Sequence, residues 1–351
     1  MLLRNRCLIL VALGILTQAG CVPTVWLPDS SGFVYVKPVK GGHLVHFDIK
    51  SKKERVIVEN IGRKTWPAIS PDGKRIAVAG GFRHGPKLGT TLQFVIYDFQ
   101  GKTVHRSKEF DWTKEEVYER TMLFWSPKGD MLVVTGGPTA IYNLEADTLK
   151  AVQGYPVILG GTPIRPDGSG FLVADLDSNS VGFVDWTGKR QAIAGHFEFI
   201  WAMHAQSWWE GNVAVGGFKN AKKTYSVDTV KHKIEFPDSL AESFKHGKSP
   251  TPRYDFPGDL SVVLTLGEPA GGFIGPGPRP CKVAIVNNKT NKEETILEKG
   301  PESCLFLPSP DGNYVTVCLS DPLTMDPNGW ILVISAEGEV VAKMHFPDTE
   351  L

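Results

Sequence analysis

The sequence predicts an all-β fold built from repeated four-stranded antiparallel units, and three observations carry that expectation. First, the 351 residues include 37 Gly and 25 Pro, which recur as punctuation between short apolar runs. Second, a Pro-Asp-Gly turn repeats along the chain, in Ser70-Pro71-Asp72-Gly73, Arg165-Pro166-Asp167-Gly168 and Ser309-Pro310-Asp311-Gly312, with variant copies at Leu27-Pro28-Asp29-Ser30 and Ser126-Pro127-Lys128-Gly129. Third, every copy leads into a β-branched or aromatic run, and Trp26, Trp66 and Trp125 precede three of them.

The turn has a local physical logic. Proline presets φ at its start, aspartate bonds its own downstream backbone, and glycine takes the positive φ that closes a hairpin. The run that follows then returns antiparallel as a second strand: Phe33 to Val36, Ile76 to Val78, Met131 to Val134, Phe171 to Val173 and Tyr314 to Val317. A third strand ends in a polar turn, at Leu92 to Tyr97, Ala140 to Tyr142, Val181 to Val184 and Trp330 to Ile334. A short fourth strand follows, as in Val56 to Val58, Ala192-Ile193 and Glu339 to Met344.

Two more units lack the proline turn but keep paired apolar runs, Val213 to Gly217 with Thr224 to Val227, and Leu260 to Leu266 with Val283 to Val286. Four strands per unit and about 47 residues per unit describe a β-propeller of seven blades, with six or eight left open. Residues 26–351 read as a single propeller domain. The one stretch with helical character is Thr113 to Tyr118, where Lys and Glu cluster.

The stretch Trp66 to Ala77, Trp-x-x-x-Ser-Pro-Asp-Gly-Lys-Arg-Ile-Ala, resembles the WD-like repeat of the TolB-type periplasmic propellers. The resemblance implies the architecture of nearly all of the mature chain. It is strongest in the second and seventh repeats and absent by motif in the fifth and sixth. It implies little about function, because the scaffold hosts many activities. The separate N-terminal α/β domain of TolB has no counterpart here, so the Tol-system role is not implied.

Residues 1–20 read as a signal peptide. Arg4 and Arg6 supply a basic n-region, and Leu8 to Leu16 is apolar but short for a bilayer span. Ala19-Gly20-Cys21 resembles a bacterial lipobox, although Gln18 stands where that pattern usually has Leu. The resemblance implies lipidation of Cys21, a tether over residues 21–25, and an envelope location that leans to the outer membrane because Val22 is not Asp. The other reading is cleavage after Ala19, which yields a soluble periplasmic protein. Cys281, Cys304 and Cys318 remain in an export setting. A three-residue turn closed by Ser309 and Asn313 sets Cys304 opposite Cys318, which allows a disulfide; the other reading is three buried thiols.

Charge narrows the partner. Thirty-eight basic and 38 acidic residues give a net charge of zero, so nucleic acid is not an expected partner. No catalytic or metal motif stands out, and no cofactor is expected. His196, Glu198 and His204 have no zinc-protease spacing. Asp175, Asp177 and Asn179 begin like a calcium loop but lack its later Gly and Glu, so a polar hairpin turn is the simpler reading. Gly271 to Gly277 leads into no helix, which argues against phosphate binding.

The long connections say more. They run over Gly80 to Thr90, Ser107 to Arg120, His196 to Trp209, Pro237 to Gly258, Gly267 to Pro280 and Ser320 to Asn328. Second-to-third-strand and blade-to-blade connections emerge at one end of the strands, and insertions gathered there mark a binding face. The candidate residues are Arg83, His84, Trp112, Trp201, Trp208, Trp209, His246, Arg253 and Tyr254, of types favoured at recognition hot spots. Two functions stay open. One is a monomeric envelope propeller that binds a protein or peptide, or a glycan, and touches the membrane through its lipid alone. The other is a carbohydrate hydrolase or lyase with carboxylates at its axial mouth.

Overall fold

The computed structural model describes residues 24–62, 66–80, 91–111, 121–135, 139–156, 163–175, 180–193, 207–210, 213–218, 223–228, 233–235, 253–266, 281–300, 303–320 and 329–346. All regular structure among them is strand. The first sheet contains β1 (Thr24–Trp26), β2 (Gly32–Lys37), β3 (His43–Asp48) and β4 (Lys53–Val58). The second contains β5 (Ala68–Ile69), β6 (Arg75–Gly80), β7 (Thr91–Asp98) and β8 (Thr103–Arg106), with the extra strand β9 (Phe110–Asp111) also pairing to β7. The third contains β10 (Met122–Trp125), β11 (Met131–Thr135), β12 (Thr139–Asn143) and β13 (Thr148–Val152). The fourth contains β14 (Tyr155–Pro156), β15 (Gly170–Asp175), β16 (Ser180–Asp185) and β17 (Arg190–Ile193). The fifth contains β18 (Ser207–Glu210), β19 (Val213–Phe218), β20 (Lys223–Asp228) and β21 (Lys233–Glu235). The sixth contains β22 (Arg253–Asp255), β23 (Leu260–Leu266), β24 (Cys281–Asn287) and β25 (Lys292–Gly300). The seventh contains β26 (Ser303–Pro308), β27 (Tyr314–Ser320), β28 (Gly329–Ser335) and β29 (Val340–Phe346).

In each sheet the four main strands lie in chain order, and among the described residues the strand pairs are antiparallel. This meander is the blade unit of a β-propeller, and the chain has that fold. All the predicted second and third strands fall within observed ones. The helical reading of Thr113 to Tyr118 lies outside the described residues.

Two compact units divide the chain, Met1–Arg63 with Pro250–Leu351, and Lys64–Ser249. Within the first unit the sixth, seventh and first sheets stack through apolar faces. On β27, Val315, Val317 and Leu319 face the sixth sheet, whereas Cys318 faces the first. Alternate residues thus serve opposite faces, as the strand pleat dictates. A sheet buried on both faces needs near-continuous apolar strands, which is what the sequence shows. Within the second unit one apolar cluster joins the second and third sheets, with Phe94 stacked on Tyr142 at 4.3 Å between ring centroids. Another joins the third and fourth through Val133, Ile141, Phe171 and Val173. Among the described residues the fourth strands of the first, second and third sheets are largely exposed, and Val104 on β8 is 53% exposed.

The first-to-second-strand turns are stapled twice. Ser70 N donates to Arg75 O at 2.9 Å, and Arg75 N donates to Ser70 Oγ at 3.0 Å. Ser126 with Met131, and Ser309 with Tyr314, repeat this arrangement. The turn glycine adopts positive φ and also fits against the preceding turn. A Cβ on Gly168 would lie 2.6 Å from Pro127 Cγ, and one on Gly312 would lie 3.4 Å from Pro257 Cγ. Ser30 holds the equivalent place in the first sheet at φ 60°, and its hydroxyl accepts from Asp311 N at 3.1 Å.

These turns correct two expectations. The last one closes between Ser309 and Tyr314, one residue beyond the three-residue turn, so Cys304 pairs with Leu319 and Leu305 with Cys318. Direct opposition of Cys304 and Cys318 is therefore lost, and the pleat sets neighbouring positions on opposite faces. Cys281 and Cys318 are both buried. The sixth sheet also has a proline turn, in the order Pro257-Gly258-Asp259, closed by Phe256 N to Leu260 O at 3.0 Å.

Candidate functional site

The two ends of the strands differ in chemistry. One end carries the serine-stapled turns. There Ser70 donates to the Asp72 carboxylate, and that bond is the first cause holding the Asp72 carboxyl below its usual range. Arg75 lies 4.9 Å over the Trp125 ring and donates to Gly129 O at 3.0 Å. Beside it is a cleft of about 330 Å³ lined by residues including Val104, His105, Asp130 and Glu145. His105 Nε2 lies 2.6 Å from the Tyr142 hydroxyl, which donates to Asp147 Oδ1 at 2.9 Å. Polar side chains here hold turns and sheets together.

At the other end long connections leave: 81–90 follows β6 and 112–120 leads into β10, while the short segment 136–138 joins β11 to β12 at the same end. Trp66 and Thr121 stand there, just ahead of β5 and β10, the first strands of adjacent sheets. Trp66 N donates to Thr121 O at 3.2 Å. Trp66 Nε1 and Thr121 Oγ1 are both buried and have no hydrogen-bond partner among the described residues, and Thr121 is 0% exposed. Buried polar atoms are ordinarily paired, so two orphans on residues joined by a backbone hydrogen bond call for an explanation.

Tryptophans elsewhere show what Trp66 does not do. Trp125 Nε1 donates to Ala68 O and Trp26 Nε1 to Leu307 O, both at 2.9 Å. Each is the last residue of its first strand and reaches the first strand of a neighbouring sheet within its unit. Trp66 precedes its turn serine by four residues, whereas Trp125 is adjacent to Ser126, so Trp66 falls at the start of the first strand. In the first unit, buried His43 Nδ1 at the start of β3 is likewise without a partner among the described residues, at the corresponding end of its own sheet.

The sequence-predicted face is only partly described. Arg83, His84, Trp112, Trp201 and His246 lie outside the described residues, as do the segments 196–206 and 271–280. Trp208 and Trp209 belong to β18, and Arg253 and Tyr254 to β22, so they sit on first strands rather than in connections. Arg253 donates from Nε to Asp255 Oδ1 at 2.5 Å and from a terminal nitrogen to Ser261 Oγ at 2.7 Å and Asn288 Oδ1 at 2.6 Å. That network runs toward the turn end and clamps its sheet. Tyr254 packs edge-on against Phe256, and burial, then Asp311 and Asp255, push its hydroxyl above the usual range. Asp175 pairs with Ser180 at the end of the β15–β16 ladder, and 176–179 lie outside the described residues. Thr121 was not signalled by the sequence. Its burial follows from pairing between distant segments, which no local motif reports.

No protein-family model matches the chain, and no curated protein matches it. Solved structures similar to it include an uncharacterized protein, lmo1340, from Listeria monocytogenes, with 14% identity, 95% of this chain and 96% of that one covered, and a TM-score of 0.47. BamB from Moraxella catarrhalis shares 12% identity over 93% of this chain and 91% of its own, with a TM-score of 0.41. TolB from Acinetobacter baumannii shares 16% identity over 61% of this chain at a TM-score of 0.38, and this chain spans 53% of the TolB chain. By its repeated four-stranded meanders and Ser-Pro-Asp-Gly turns, the chain has the β-propeller fold.

Proposed function

We propose that this chain is an exported seven-bladed propeller, lipid-anchored through Cys21, that binds a protein or peptide of the cell envelope at the end of its strands where the long connections leave. The observation that carries the reading is the contrast between ends. At the turn end, serine, aspartate and arginine side chains bond their own turns and neighbouring sheets. At the connection end, Trp66 Nε1 and Thr121 Oγ1 lie buried and unpartnered among the described residues. Atoms left so are destabilising by themselves and mark a place where an ordered water or a ligand completes the fold. The balanced charge supports a protein partner over a polyanion.

A photo-crosslinking amino acid placed in the full-length chain tests this in the bacterium that makes it. Substitution at His84 or Trp112 should give a discrete adduct, and substitution at exposed Lys74 or Lys128 on the turn end should give none. Adducts from the turn end alone, or none from His84 and Trp112, contradict the proposal. The anchor has its own test, in which Cys21→Ser moves the protein from the membrane to the soluble envelope fraction.

A further inference from the structure

We infer that the first and seventh sheets meet the lipid surface at the end where β1 begins, with Trp330, His345 and Lys343 in the headgroup layer. The inference rests on the proposed acylation of Cys21 and adds which end of these sheets faces the membrane.

The direction of β1 sets that end. Thr24 pairs with Tyr35 and Trp26 with Phe33, so β1 runs into the turn at Leu27-Pro28-Asp29-Ser30 and starts at the opposite end. Its start is fastened. Thr24 is 3% exposed, and its hydroxyl lies 2.5 Å from that of Thr316 on β27. At the finish of β1, Trp26 Nε1 donates to Leu307 O at 2.9 Å. The strand is thus fixed to the seventh sheet as well as to β2.

Reach then limits the distance to the lipid. Cys21 stands three positions ahead of Thr24, and three residues span at most about 11 Å when fully extended. The headgroup layer on each side of a bilayer is roughly 5–8 Å deep. Acyl chains on Cys21 enter the hydrocarbon, so Thr24 lies among the headgroups or a few ångströms above them. A long flexible linker would let the sheets turn any face to the lipid. So short a span presents the end at which β1 begins.

The side chains at that end suit a headgroup layer. There β28 starts and β29 finishes, with Trp330 opposite His345 in register. Their rings stack at 4.2 Å between centroids, and Lys343 Nζ lies 5.2 Å from the Trp330 ring. Trp330 is half-buried, and His345 and Lys343 are exposed. Tryptophan joins an apolar body to a polar N–H and is enriched at membrane–water interfaces, and exposed lysine is drawn to anionic headgroups. On the first sheet, exposed Lys40 stands at the same end with half-buried Val39 and Ile61, and Glu59 is an exposed carboxylate there.

The test uses the full-length acylated chain in the bacterium that makes it, with a photo-crosslinker at one position at a time. Glu59 and His345 should give lipid adducts by mass spectrometry. Lys50 and Glu337, at the turn end and about 20 Å away along the strands, should give none. Equal adducts from both ends, or adducts from the turn end alone, overturn the inference while the anchor stands. So does a membrane-bound chain with no lipid adduct at any of the four positions. Wild-type protein found in the soluble fraction removes the acylation itself, and the inference with it. A Gly-Ser insert of about twenty residues after Val22 separates reach from affinity. In that chain Glu59 should still give the lipid adduct, and Lys343→Gln should lower it roughly fivefold. Loss of the adduct on lengthening, or an unchanged yield in Lys343→Gln, overturns the placing of Trp330, His345 and Lys343 among the headgroups.

Discussion

Within the second and third sheets, the two ends of the same strands obey opposite rules. At the turn end, Ser126 Oγ accepts from Met131 N at 3.1 Å and donates to Asp130 at 2.6 Å. At the connection end, Thr121 Oγ1, five residues away, has no partner among the described residues. Residues of similar chemistry flanking the two ends of β10 thus differ in whether the fold completes them. The lesson is that satisfied polar groups report what holds a propeller together, and orphaned ones report where the strands leave a buried polar atom uncompleted.

The largest expected effect lies in the turns. Gly168 has φ 72° and sits where a Cβ would meet Pro127 at 2.6 Å. Gly168→Ala should destabilise by about 3 kcal/mol, combining left-handed strain with overpacking. Gly62 has φ 93° with nothing within 4 Å of a Cβ, so Gly62→Ala should cost only the strain, about 1 kcal/mol. Chemical denaturation of both variants separates the two contributions. Equal losses would mean that nesting of the turns contributes nothing.

Next in size are the serine staples. Ser126→Ala should destabilise by about 1–2 kcal/mol, because the Met131 N–H and Asp130 lose a buried partner. A loss confined to a few tenths would place these bonds among the dispensable ones.

Acid sharpens the contrast further. Hydrogen bonds from Ser70 to Asp72, from Ser31 to Asp29 and from Ser51 to Asp48 are the first causes lowering those carboxyl pKa values in the folded state. A lowered folded pKa stabilises above the unfolded value of about 3.9 and is lost as pH falls through the folded one. The stability gap between wild type and Ser70→Ala should therefore narrow below about pH 4. A gap independent of pH from 7 to 3 would show that the Asp72 carboxylate takes no part.

Much of this was legible in the sequence, and particular residues show why. Ser309-Pro310-Asp311-Gly312 predicted a hairpin because each residue acts within the turn itself. The same turn misled on Cys304 and Cys318, since register depends on whether Ser309 closes to Asn313 or to Tyr314, and residue types alone do not decide that. Trp208, Trp209, Arg253 and Tyr254 read as loop residues because no turn signal precedes β18 or β22, and a three- or four-residue strand is too short to show alternation. Strand β9 was missed for the same reason. Trp66 was grouped with Trp26 and Trp125 as a repeat residue; its displacement by three positions changes its partner, and only pairing across sheets exposes that.

The central claim is that the two ends differ in kind, and one pair of melting curves tests it most directly. Thermal unfolding of Ser126→Ala and Thr121→Val is compared with wild type under identical conditions. The account predicts that Ser126→Ala lowers the midpoint by about 2–6 °C, whereas Thr121→Val leaves it unchanged or raises it, because removing a buried, unpartnered hydroxyl relieves a penalty. A fall in Thr121→Val matching that of Ser126→Ala would contradict the claim.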